Sequence, residues 1–195
     1  HATNLDLQRI LDEAVKRLGF PKPTETVKGV KGLINRTRIP ESLEKGILRA
    51  KWEVSVFKDG TLRYDATNAV LTHFRPAEVG LSLEKAHALG YAKDLHDNLL
   101  TSPDLLCQME IQDLVVPEGC ADYLLKVSKF LDDLLRLHYG LDGYYKAKTK
   151  ENLIGHLVVG LSPHTSVGVV GRIIGFTKAS VCYAHPLFHA AKRRD

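Results

Sequence analysis

Residues 156–194 read HLVVGLSPHTSVGVVGRIIGFTKASVCYAHPLFHAAKRR, and the spacing within them decides the fold class. Three apolar runs, 156–161, 167–175 and 180–184, are separated by clusters of Gly, Ser and Pro, the pattern of short strands between turns. Pro186 then stands where a proline opens a helix, since its missing N–H is one of the donors that a first turn leaves unpaired. The closing helix is expected to run through Arg194.

Upstream, residues 118–138 carry Leu124, Val127, Phe130, Leu131, Leu134, Leu135 and Leu137 at helical spacing, closed by Gly140. Residues 3–19 form a second amphipathic helix, with Thr3 and Asp6 as its start signal and Gly19 as its stop. Short helices are expected over 82–89 and 94–100, and a strand over 108–116 ended by Pro117. Residues 51–58 alternate about an Asp59-Gly60 pair followed by Leu62 and Tyr64, which predicts a β-hairpin. The stretch 65–76 reads as a turn-rich lead into the next helix. Hairpin, helices and late strands together make an α+β fold. Three regions are expected: 1–40, a helix and basic linker; 41–140, an α+β region with the long helix; and 141–195, the late strands and closing helix. The Gly-, Tyr- and Lys-rich stretch 140–150 marks the last boundary.

Composition narrows the class without naming it. Of 195 residues, 44% are hydrophobic and 26% charged, enough for a packed core, and the formal net charge is +4. Three scattered cysteines make no disulfide framework, and a reducing cytoplasm is the default. No apolar run approaches the roughly 20 residues of a membrane span. The chain opens on His1, as a processed or excised portion of something longer would.

Several chemistries can be weighed on their residues. Gly160-Leu-Ser162-Pro-His164 begins like a nucleophile elbow but lacks the second glycine, so Ser162 is better read as a turn serine. Gly168, Gly171 and Gly175 have neither dinucleotide nor phosphate-loop spacing, and fit close backbone contact inside a barrel. Cys182, His185 and His189 could ligate zinc as a hydrolase does, against which Cys182 lies in an apolar run and no fourth ligand is near. Asp132-Asp133 reads as a solvated helix face. Lys192-Arg193-Arg194 either meets the helix dipole or binds a polyanion; with Lys178, His185 and His189 nearby in sequence, the balance tilts to nucleic acid. No complete active site is present.

Residues 156–194 closely resemble the large catalytic subunit of archaeal family D DNA polymerase. A second block, 43–76 (LEKGILRAKWEVSVFKDGTLRYDATNAVLTHFRP), resembles the same subunit in the same order. The resemblance implies a fragment of a polymerase core built on two double-psi β-barrels with helical insertions. It implies template-directed nucleotidyl transfer with two Mg ions, and as partners a DNA primer–template, a small 3′–5′ exonuclease subunit, a sliding clamp and the remainder of the large subunit. In the family the basic cluster continues into a Cys-Asp-Gly-Asp motif whose aspartates hold magnesium. This sequence stops at Asp195, where the family commonly has Asn. Asp195 is therefore assigned at most an outer-shell carboxylate, and an intein, a split gene or a cut at the junction would account for the stop. The fragment alone is expected not to polymerise. Lys178, His185, His189, Lys192, Arg193 and Arg194 are the expected DNA or nucleotide contacts. The rival reading is a non-catalytic basic α+β module that binds nucleic acid or a partner protein.

Overall fold

The structure, a computed structural model, describes residues 6–23, 25–30, 41–57, 60–161 and 167–192, with Lys192 described by its backbone alone. In chain order the elements are α1 (Leu7–Leu18), α2 (Leu43–Lys51), β1 (Thr67–Val70), β2 (His73–Phe74), a 3-10 turn (Pro76–Val79) and α3 (Leu83–Ala88). Then come β3 (Cys107–Gln108), β4 (Asp113–Pro117), α4 (Glu118–Asp133) with a π-type turn (Leu134–His138), β5 (Leu157–Leu161), β6 (Gly168–Thr177), β7 (Val181–Ala184) and α5 (Pro186–Lys192). The fold is α+β. The chain divides into two compact units, His1–Tyr64 with Tyr123–Lys148, and Asp65–Asp122 with Thr149–Asp195.

The first unit is helical. The Asp6 carboxylate accepts the Arg9 N–H at 3.0 Å and so caps α1, while Gly19 closes it with φ at 72°, a conformation that costs glycine least. The stripe of α1 buries Ala14 and Leu18 against Ile47 and Leu48 of α2, and Val54 and Phe130 complete the core. Asp133, at the end of α4, is buried. Its carboxylate accepts from Lys51 Nζ at 2.6 Å and Trp52 Nε1 at 2.9 Å, and pairs with Arg136. Burial would raise this carboxyl, but those hydrogen bonds and the charges of Lys51 and Arg136 hold it below the usual aspartate range.

The second unit is organised by a five-stranded mixed sheet in the order β1-β7-β4-β6-β5. Every residue of the central strand β4 is buried, as expected of a strand flanked on both sides and covered on both faces. It runs parallel to β6 and antiparallel to β7, and β1 runs parallel to β7. A small antiparallel pair, β2 with β3, lies apart. Phe74, Leu81, Tyr91, Met109, Val115 and Ile174 form the core, with the Phe74 and Tyr91 rings edge to face at 5.1 Å. Among the described residues β5 is an edge of the sheet, and it carries Leu157 and Val159 at 65% and 66% exposure.

The late strands and the proline-led helix fall where their spacing places them, and so do α1, α3 and α4. The glycines of β6 admit close neighbours: a Cβ on Gly175 would stand 2.4 Å from the Val79 carbonyl oxygen, and one on Gly171 would stand 2.4 Å from Leu114 Cδ1.

Five local expectations are corrected. Among the described residues no strands flank Gly60; α2 extends to Lys51, and Trp52 ends it with its N–H on the Leu48 carbonyl. A turn survives there, in which Gly60 N–H donates to Phe57 and Phe57 N–H to Thr61, while Asp59 lies outside the described residues. Of the alternating residues, Val54 goes into the helical core beside Ile47 and Leu48 rather than into a sheet. Residues 94–100 are a loop, not a helix, because the Asp94 carboxylate takes the N–H groups of His96 and Asn98. The 108–116 run is split between two sheets by a turn in which Asp113 N–H meets the Glu110 carbonyl. Asp132 and Asp133 are anchors rather than a solvated face, and residues 65–76 contain β1 and β2 rather than turns alone. Thr3, Ser162 and His164 lie outside the described residues.

Two stability outcomes follow from these contacts. Gly175→Ala should cost about 1–3 kcal/mol or more, since the obstruction is backbone and a branched Cβ that cannot move aside; urea unfolding measures it. The Asp133 contribution is complete above the ordinary aspartate pKa of roughly 3.9 and is lost as pH falls through its depressed folded value. Asp133→Asn should therefore be destabilised at neutral pH, with the gap to wild type closing as pH falls below that range.

Candidate nucleic-acid interface

The expected contact residues lie on the corner formed by β6, β7 and α5. Leaving β6, the chain turns through Lys178, which is exposed, with the Ala179 N–H held by Thr177 Oγ1 at 3.1 Å. It returns along β7 between β1 and β4 and enters α5 at Pro186. His185 stands just before this helix, and its Nδ1 accepts the Leu187 N–H at 3.2 Å. An accepting Nδ1 leaves the ring proton on Nε2. One helical turn on, His189 Nε2 lies 3.2 Å from the Ala69 carbonyl of β1. A carbonyl can only accept, so here Nε2 donates. Each imidazole thus commits one nitrogen to the fold and keeps the other.

Phe188 fixes the helix on the sheet. It is buried, and its ring edge comes within 3.2 Å of where a Gly171 Cβ would be. The corner therefore brings His185, His189 and the backbone of Lys192 together on one short helix. Lys178 sits at the opposite end of β7, at least the strand's own length of about 13 Å away. Arg193, Arg194 and Asp195 lie outside the described residues.

Among the described residues, no three His, Cys, Asp or Glu side chains are grouped so as to hold a metal ion. Burial pushes the Cys120 thiol up to about 12, with the neighbouring Cys182 adding to it, so Cys120 offers no thiolate near neutral pH. Among the described residues, too, no helix is long and apolar enough to cross a membrane.

What holds this corner from beneath escapes the sequence reading. Asp113, the first residue of β4, is 0% exposed, and Arg172 of β6 grips it with Nε and Nη2 at 2.7 and 2.8 Å. The Tyr91 hydroxyl donates to the same carboxylate and accepts the Glu110 N–H. The bond to Asp113 raises the Arg172 guanidinium against the opposing effect of burial. Burial and the Asp113 charge keep the Tyr91 phenol protonated well above its ordinary range. The signal was a single charge in each of two apolar strands, VVGRIIG and QDLVV; buried charges must find each other. Arg172→Met would leave that carboxylate buried without its partner, and should cost on the order of 3–5 kcal/mol in thermal or urea unfolding.

Comparison with known proteins gives a consistent result. Residues 21–195 match the family described as DNA polymerase II large subunit DP2, catalytic domain. The chain is 54% identical over 191 residues to the DNA polymerase II large subunit of Methanocella arvoryzae, covering 98% of this chain and 17% of that protein. It is 52% identical over 191 residues to the subunit of Archaeoglobus fulgidus, covering 98% and 17%. With that of Pyrococcus horikoshii it shares 54% over 189 residues, covering 97% and 13%. The chain thus spans 13–17% of the length of these relatives.

Proposed function

The chain belongs to the DNA polymerase II large subunit family, and from that premise we propose that it is a portion of a DNA-directed DNA polymerase which helps to seat primer–template or nucleotide phosphate. The observation that carries the reading is the placement of α5. Phe188 and His189 tie this helix to the sheet and His185 accepts an N–H of its first turn, and in sequence the helix leads directly into Lys192-Arg193-Arg194. Cations that follow such a helix in sequence would gain from counterion release on meeting a polyanion. His185 and His189 act mainly by positioning the helix, each with one ring nitrogen left for a further contact. Lys178, at the far end of β7, would meet a different stretch of the same strand.

The five-stranded mixed sheet is proposed as part of a double-psi β-barrel completed by other sequence of the subunit. The exposed apolar side chains of the edge strand β5 are consistent with a further covering element. The family's magnesium is not assigned to the described residues, among which no three His, Cys, Asp or Glu side chains are grouped so as to hold a metal ion. No step of the metal's chemistry is therefore derived from them, and Asp195 keeps only the outer-shell role that the resemblance allows. The polymerising activity, the small exonuclease subunit, the sliding clamp and a cytoplasmic setting belong to this proposal for the whole protein.

The test is the glutamine triple variant of Lys192, Arg193 and Arg194 in the complete large subunit. Primer–template binding should weaken steeply, and the slope of log affinity against log salt should fall by about 2–3, one for each phosphate no longer neutralised. An unchanged affinity and slope would sink the reading, and would favour a module whose basic tail serves only its helix dipole.

A further inference from the structure

The positive charge of the chain is unevenly placed. Of its 27 Lys and Arg and 23 Asp and Glu, the first unit holds 18 and 11, leaving 9 and 12 for the second. The basic excess therefore lies in the unit that does not contain α5. Within it, the stretch 139–148, YGLDGYYKAK, is a described segment singled out by composition that the polymerase reading leaves without a role.

This stretch is anchored but not packed away. The Asp132 carboxylate accepts the N–H groups of Tyr145 at 2.9 Å and Lys146 at 2.7 Å. Gly143 passes so close that a Cβ there would stand 3.1 Å from the carboxyl carbon. Lys146 takes a positive φ of 50°, an unusual conformation for a residue with a side chain. Yet Tyr139 is 51% and Tyr144 72% exposed. Cations stand alongside: Lys45 Nζ lies 5.2 Å from the centre of the Tyr139 ring, and Lys146 and Lys148 are exposed. Exposed aromatic rings on an anchored stretch of backbone, with cations in the same stretch, suit unpaired bases. The rings stack on base faces while the cations follow the phosphates. A duplex would use the cations but not the rings, because its base faces are already stacked.

We propose that Tyr139 and Tyr144, with Lys45, Lys146 and Lys148, form a stacking surface for single-stranded DNA, which in a polymerase is the template overhang beyond the primer. The identification of that strand rests on the polymerase reading above. The surface is distinct in sequence and in unit from the α5 cluster, and its recognition is of base faces rather than of phosphate alone.

The test measures binding of the complete large subunit to two DNAs, a blunt duplex and the same duplex with a roughly 10-nucleotide 5′ overhang, a length one such surface can cover. Y139A with Y144A should weaken binding to the overhang DNA by about tenfold or more and leave the blunt duplex unchanged. Y139F with Y144F should retain wild-type affinity for both, since the ring rather than the hydroxyl stacks. The melting temperature, unmoved because both rings are largely exposed, excludes misfolding. No loss with the alanine pair, or equal loss on both DNAs, overturns the proposal. The glutamine variant of the α5 cluster runs alongside and should weaken both DNAs. If it does so while the tyrosine pair has no effect, the stacking surface fails and the polymerase reading stands; if it too is silent, that reading fails separately.

Discussion

Asp113 and Arg172 face each other across the point where β4 and β6 pair in parallel, and the bidentate contact between them is the constraint that the second unit is built around. A fully buried carboxylate cannot stay ionised without partners, because removal from water costs several kcal/mol. Here Arg172 supplies two donors and Tyr91 a third. The Coulomb gain of such a pair is largely consumed by its desolvation, so its effect lies in selection among arrangements. Sliding β4 by one residue along β6 would strand both charges and turn each apolar side chain to the other face. Tyr91 extends the constraint, since its ring packs on Phe74 and its hydroxyl receives the Glu110 N–H that begins the turn into β4.

From that register the interface corner follows. With β4 fixed against β6, β7 pairs antiparallel on its other side and delivers His185 and Pro186 to the start of α5. The close passage of Gly171 by Leu114 and Phe188 lets that helix lie down on the sheet. The helix that precedes the basic tail in sequence is held by Phe188 and His189, with His185 accepting an N–H of its first turn.

The first unit uses carboxylates in the same spirit with different partners. Asp132 and Asp133 are neighbours, but one accepts backbone N–H groups from the following loop and the other accepts Lys51 and Trp52 from α2. In sequence the pair resembles any solvated helix face. Only the approach of other segments gives each carboxylate its anchoring role, and with it the depressed pKa of Asp133.

What the sequence by itself determined was everything that depends on neighbours within a few residues. The stripe of α1, the stop at Gly19, the long α4, the three late strands and Pro186 at the head of α5 are local signals, and the long family-specific blocks identified the kinship. What only the tertiary structure decided was every pairing at long range. β1 joins β7 across more than a hundred residues, at Thr67 opposite Val181, which no short window can contain. The same holds for Asp113 with Arg172, and for Val54 of the expected strand, which packs with Ala14, Leu18, Ile47 and Leu48 in a helical core instead. Propensity and periodicity act over one or two turns of chain, whereas desolvation acts wherever the chain brings a charge or an apolar face out of water.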